Sequence, residues 1–422
     1  MDKKTFINQV GHLFKGQVLY AFTQWFVLFM LARFGGDAES GIYVAALATT
    51  APIFMLFDLN LRVSRSTDHQ HGEQYRTYVG IRFCCLVLAV AVSLLTCLFL
   101  YDSRIGVFIA IILYRVGESI SNLSFGGYQR MQVSDRIGKT LTVKGFVALS
   151  VLGVLIPLTG NAIYAALAMA IISFWFALLR DLPNAWKMNE PDCKLSVGSV
   201  ALAMKDFEAS RRIVRRSLPL GFDAFISSLA FNSPRYAIQY WVGTSALGVF
   251  GVLSQFAWSL QLLVGAVGHA GVSVLSKHRM DNNRKQFWRL FNRMLASSAI
   301  AGVIAVAAGS IVIPRVIGYF LGPQYNNFYL VLGLLAASCL AGGLRTAGRA
   351  TQATGEYFAY LMFDVVVFAV SAIASIIFVQ IFGLNGGAIA LVLAFGSALV
   401  VALVHTYRFL WPEENEMAQE SV

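Results

Sequence analysis

The chain has 422 residues, of which 57% are hydrophobic and only 13% charged. A soluble domain carries roughly 25% charged and 45–50% apolar residues, so a soluble globular protein is excluded. The net charge of +11 could suit nucleic acid, but the basic residues bunch at the flanks of apolar stretches, as in membrane proteins. No nucleic-acid partner is expected.

Those apolar stretches are about twenty residues long and recur from end to end, each sufficient to cross a hydrocarbon core of about 30 Å as a helix. Membrane strands would be shorter and would alternate polar with apolar residues, which these do not. The expectation is an all-α integral membrane fold of about twelve transmembrane helices. The predicted spans are 16–34, 40–61, 78–100, 105–127, 140–159 and 162–180, then 217–241, 246–275, 290–313, 326–348, 357–381 and 386–408. The first reads as a retained helix, because its basic lead is not followed by a short apolar core and a cleavage site.

Basic residues set the orientation, since Lys and Arg beside membrane helices stay in the cytoplasm. Lys3, Lys4 and Lys15 precede the first span. Arg62, Arg65, Arg76 and Arg82 flank the loop after the second, and Arg130, Arg136, Lys139 and Lys144 the loop after the fourth. The central loop, the loop after the eighth span, and Arg345, Arg349 and Arg408 complete that side, so that of the 33 basic residues only Arg33, Arg104, Arg115, Arg235 and Arg315 fall elsewhere. Both termini are therefore predicted to be cytoplasmic. The opposite face has only brief turns, such as GGDAES, TGN and VGTSA.

The longest polar segment, about 181–216, contains SVALAMKDFEASRRIVRR. Val200, Ala203, Met204 and Phe207 recur at helical spacing, which predicts a helix lying at the membrane surface with its arginines toward anionic headgroups. The predicted organisation is an N-terminal six-helix bundle (1–181), a linker with that interfacial helix (182–216), a C-terminal six-helix bundle (217–410) and a cytoplasmic tail (411–422).

Polar groups inside a bilayer are costly and point to function. In the first span, Gln24 could hydrogen-bond sugar hydroxyls, and Arg33 lies at the outer end. Asp58 is expected to pair with Arg62 or Arg65. In the fourth span Arg115, Glu118 and Asn122 share one helical face. Two readings of that face stay open: a cavity-facing pair that binds an anion or exchanges a proton, or a self-neutralised pair that locks the helix to a neighbour. In the seventh span Asn232, Arg235 and Gln239 form a polar stripe, with Pro234 among them. Asp223, Asp364 and His269 join Glu118 as candidate ion-coupling groups, since histidine titrates near neutrality and a buried carboxylate can be shifted toward it.

Enzyme signatures are missing. There is no GxxxxGK[ST] loop, HExxH or GxSxG. The five cysteines (Cys84, Cys85, Cys97, Cys193 and Cys339) show neither a disulfide framework nor zinc spacing. A transporter with no cofactor and no metal is expected.

Two passages carry a family resemblance: FDLNLRVSRSTD with EQYRTYVGIRF, and LPLGFDAFISSLAFNSPRYAIQYWVGTSALGVFGVLSQ. Within them Asn232-x-Pro234-Arg235-Tyr236 and Leu247-Gly248-x-Phe250 are the most specific pieces, with looser likeness in GPQY (322–325) and Gly383-Leu384-x-Gly386. The chain resembles the bacterial polysaccharide flippases, the O-antigen and capsule repeat-unit exporters of the multidrug/oligosaccharidyl-lipid/polysaccharide superfamily. The resemblance implies two six-helix bundles around a central cavity. It also implies an undecaprenyl-pyrophosphate-linked oligosaccharide moved from inner to outer leaflet by a monomer among membrane lipids, with polymerase and glycosyltransferases as partners. Arg235 is the residue that it marks for the pyrophosphate or sugar head; Arg115 and Arg33 follow from depth alone. The rival readings are a drug/cation antiporter of the same superfamily and a membrane enzyme acting on lipid-linked sugars.

Overall fold

The computed structural model describes residues 3–68, 73–100, 104–258, 275, 278–279, 281, 283–354 and 357–409. Among them there are helices and no strands. Ten described helices are long and apolar enough to cross a membrane, six within residues 11–189 and four within 284–408. The all-helical membrane expectation therefore holds, with a count close to twelve. Of the other two predicted spans, 217–241 lies in a long helix that its own Asp223, Asn232, Arg235 and Gln239 make less apolar. The other, 246–275, lies partly outside the described residues.

The helices divide into two compact units, Met1–Ser228 and Leu229–Val422. In unit 1 the order is α1 (Lys3–Phe34), α2 (Asp37–Asp58), α3 (Leu61–Ser66), α4 (Tyr75–Leu100), α5 (Ile105–Arg130), α6 (Ser134–Thr159) and α7 (Ala162–Phe176). A π turn over Ala177–Asp181 carries α7 into α8 (Leu182–Asn189), followed by α9 (Val197–Met204) and the start of α10 (Phe207–Trp241). α5 is the hub, packing on α2, α3, α4, α6, α7 and α8. Its buried Ile111, Ile112, Ile120 and Leu123 form the centre of this unit.

Two backbone features position the polar residues. Leu59 and Asn60 adopt left-handed conformations (φ 49° and 45°) that end α2 and turn the chain into α3. α10 crosses that junction closely: a Cβ on Gly221 would lie 2.8 Å from the Leu56 carbonyl oxygen. Only glycine permits this approach.

The segment read as one interfacial helix is divided. α9 packs on α4, the helix breaks at Lys205–Asp206, and Asp206 Oδ1 accepts from the Ala209 amide at 3.0 Å to start α10. An aspartate that caps a helix start competes with helix continuity through it, which the periodicity of the apolar residues does not register. In unit 2, α10 ends and a helical stretch over 244–258 follows. Next come α11 (Arg284–Leu321), α12 (Phe328–Thr354), α13 (Tyr357–Phe382) and α14 (Leu384–Phe409). α14 packs on α12 and α13, and Phe287, Phe291, Met294 and Ala350 form a core cluster with Leu275.

Candidate functional site

The polar residues of unit 1 converge on one face of α5. Gly117 allows α7 to approach, since a Cβ there would lie 2.7 Å from the Ser173 Cβ. This contact brings Ser173 to the next residue, and its Oγ donates to Glu118 Oε1 at 2.6 Å. The same oxygen receives Lys144 Nζ of α6 in an ion pair. Lys144 is only 1% exposed and lies over the Tyr20 ring, 5.4 Å from its centroid. Glu118 keeps 27% of its side chain accessible. Around the pair, Tyr20 and Tyr114 bring their hydroxyls to 3.3 Å, and Gln24 Nε2 donates to the Tyr114 hydroxyl at 3.1 Å.

This arrangement corrects two expectations. Glu118 does not neutralise Arg115; it pairs with Lys144, a residue assigned from the sequence to the flank of a loop. α6 begins at Ser134, six residues earlier than predicted, so Lys144 lies about 15 Å along the helix at 1.5 Å per residue. Arg115 instead donates from Nη2 to the Leu47 carbonyl of α2 at 3.2 Å, close to the turn that Pro52 loosens. It is half-buried, and its Nε is buried without a hydrogen-bond partner. Among the described residues no carboxylate pairs with it.

Asp58 pairs with neither Arg62 nor Arg65. The left-handed turn after α2 carries those arginines away, and Asp58 receives Arg82 of α4 and the Ser119 hydroxyl. Arg82 is buried, again because its helix begins earlier, at Tyr75. Arg62 reaches Gln129 Oε1 at 3.1 Å and Asn122 Oδ1 at 3.3 Å. Arg65 reaches the Glu73 carbonyl at 2.6 Å and Asn189 Oδ1 at 3.0 Å. Arg216 and Arg212 of α10 pair with Asp68 and Glu73.

In unit 2 the stripe on α10 is present as predicted from spacing. Arg235 Nη1 donates to Asn232 Oδ1 at 3.0 Å, and Nη2 to Ser254 Oγ at 3.4 Å. Gln239 Nε2 donates to Thr244 Oγ1 at 3.3 Å. Asn232 is buried and Arg235 half-buried. Pro234 contacts the position of Gly387 on α14. Beside the stripe, Phe231, Trp258 and Phe395 form an aromatic cluster with centroids 4.6 to 5.9 Å apart.

The remaining candidates lie elsewhere. Arg33 is exposed in the last turn of α1. Asp223 is half-buried near the middle of α10, and Asp364 is half-buried in α13. His269 lies outside the described residues. Among the described residues no group of three His, Cys, Asp or Glu could hold a metal ion.

A model of the polysaccharide biosynthesis protein family matches residues 7–278. The chain belongs to that family. Over 411 residues it is 21% identical to "Capsular polysaccharide biosynthesis protein CapF" of Staphylococcus aureus, covering 96% of this chain and 98% of that protein. Among solved structures, an inward-facing multidrug resistance MATE family transporter of the MOP superfamily matches with a TM-score of 0.68. Its identity is 16%, over 93% of this chain and 94% of that one. A MOP-superfamily transporter from Pyrococcus furiosus, described as having a binding pocket of reversed polarity, matches with a TM-score of 0.62 at 15% identity. That match covers 95% of this chain and 94% of that one. This member of the polysaccharide biosynthesis protein family thus has the fold of a MOP-superfamily transporter. The ten long apolar helices among its described residues make it a multi-pass membrane protein.

Proposed function

We propose that the chain is a flippase that carries an undecaprenyl-pyrophosphate-linked oligosaccharide from the inner to the outer leaflet by alternating access. Arg115 and Arg235 receive the pyrophosphate and sugar head, with Gln24, Asn232 and Gln239 as hydrogen-bonding neighbours. The basic ends of the helices face the cytoplasm.

One observation carries this reading. Glu118, the carboxylate one turn from Arg115, is already committed to Lys144, and among the described residues Arg115 is held by a neutral carbonyl. A guanidinium kept half-buried in a membrane domain without a carboxylate favours an anion from outside the protein. A pyrophosphate supplies oxygens that fit the guanidinium fork. It cannot cross hydrocarbon bare, whereas a polyprenyl tail can stay in lipid while the head passes. A drug/cation antiporter would require the opposite polarity, a carboxylate left uncompensated. The names of the family and of CapF support a polysaccharide-related cargo.

The test is complementation in a capsule-producing strain lacking its own exporter. Arg115→Ala and Arg235→Ala are expected to abolish surface polysaccharide at unchanged protein level in the membrane. Arg235→Lys is expected to retain part of it. Full activity in both alanine variants would remove these residues from the mechanism.

A further inference from the structure

Asp181 lies apart from every contact used above. It is 0% exposed and closes the π turn Ala177–Asp181, where the Leu182 amide reaches back to the Ala177 carbonyl. Pro183 explains the widened turn: it has no amide for the carbonyl four residues earlier, and the helix absorbs that loss in its register. Single π turns of this kind recur at functional sites.

Its surroundings are small and polar. Thr140 Oγ1 of α6 donates to Asp181 Oδ1 at 3.2 Å. The Tyr128 hydroxyl of α5 donates to the Asp181 backbone carbonyl at 3.1 Å, not to the carboxylate. Ser121 of α5 faces the carboxyl, yet Ser121 Oγ and Asp181 Oδ2 are both buried and neither completes a hydrogen bond. The titratable and charged groups around it are Tyr75 of α4, Tyr128 of α5, Lys144 of α6 and Arg180 of the turn itself. Lys144 is committed to Glu118, and Arg180 lies over the Phe176 ring at 5.8 Å.

A carboxylate buried without a cation and with one oxygen undonated carries a large desolvation cost. A hydrogen on Oδ2 removes the charge, and the facing Ser121 hydroxyl, which can donate to the carboxylate or accept from the acid, suits the protonated form as well. A sodium ion would need several more oxygens than Ser121 and Thr140 provide. We infer that Asp181, with Ser121 and Thr140, forms a proton-binding site at the π turn, occupied when α5, α6 and the turn are packed as seen here. Loss of the proton would place a bare charge in this junction and loosen it.

The inference stands apart from the flippase reading, because the proton itself is the probe and no cargo is needed. Infrared difference spectroscopy of the full-length protein in lipid nanodiscs, titrated from mildly acidic to alkaline pH, reads the protonated-carboxyl stretch. The expected result is a band present at mildly acidic pH and lost on alkalinisation, absent in Asp181→Asn and retained in Glu118→Gln. Where Asp181→Asn does not fold, Ser121→Ala decides, because removing the acceptor is expected to shift the frequency of that band. A band unchanged in either variant, or none that titrates, would overturn the assignment.

Discussion

Lys144 and Glu118 form a charge pair of unequal exposure. The lysine is sealed beneath Tyr20, while the glutamate remains partly accessible. Removing one partner of a buried pair costs about 3–5 kcal/mol, chiefly through the charge left behind. Lys144→Met is expected to fall near the lower end of that range, because Glu118 is not fully desolvated. The check is thermal unfolding in detergent. Lys144→Met should lower Tm markedly, and the double variant Lys144→Met/Glu118→Gln should recover most of the loss. Equal losses in the single and double variants would show that the pair does not act as a unit. The chemistry of Arg115 and Glu118 was legible from their spacing on one helical face, but their partners were not. Ion-pair partners within a bundle come from neighbouring helices, so Asp58 finds Arg82, 24 residues away, rather than its sequence neighbours. Lys144 was hidden by an error of six residues at one helix start, which moved it from a headgroup position into the interior.

At the scale of elements, glycine contacts set the distances on which this polar cluster depends. Gly117 on α5 has neither a left-handed φ nor a turn to serve; it makes room for Ser173. A helix interior would otherwise favour alanine by roughly 0.5–1 kcal/mol. Gly117→Val is expected to part α5 from α7, with an overpacking cost of about 1–3 kcal/mol and loss of the Ser173–Glu118 bond. The readout is a lower Tm together with loss of transport, and wild-type stability would contradict the assigned role of the contact. Helix positions were largely legible because hydropathy alone marks a membrane span. One feature escaped that signal: the π turn at Ala177–Asp181 continues a helix that hydropathy ends at 180.

At the scale of the whole molecule, each unit holds a membrane-embedded arginine on a different footing. Arg235 is bound by neighbours of its own helix and of the stretch that follows; Arg115 is fixed to a backbone carbonyl. The all-helical membrane fold was readable from the sequence, with ten of about twelve expected spans among the described residues, as was the family, which the match over residues 7–278 bears out. What the sequence could not reveal was that Glu118 is taken by Lys144, which leaves the Arg115 charge without a carboxylate among the described residues, the ground on which a phosphate-bearing head is proposed for it. The most direct measurement of that idea is leaflet exchange of a fluorescent undecaprenyl-pyrophosphate-linked oligosaccharide in vesicles containing the purified full-length protein. A hydrogen bond to a charged group contributes about 1.5–3 kcal/mol, so Arg115→Ala should slow exchange by about ten- to a hundredfold, with Arg115→Lys in between. Exchange by Arg115→Ala at the wild-type rate would contradict the account.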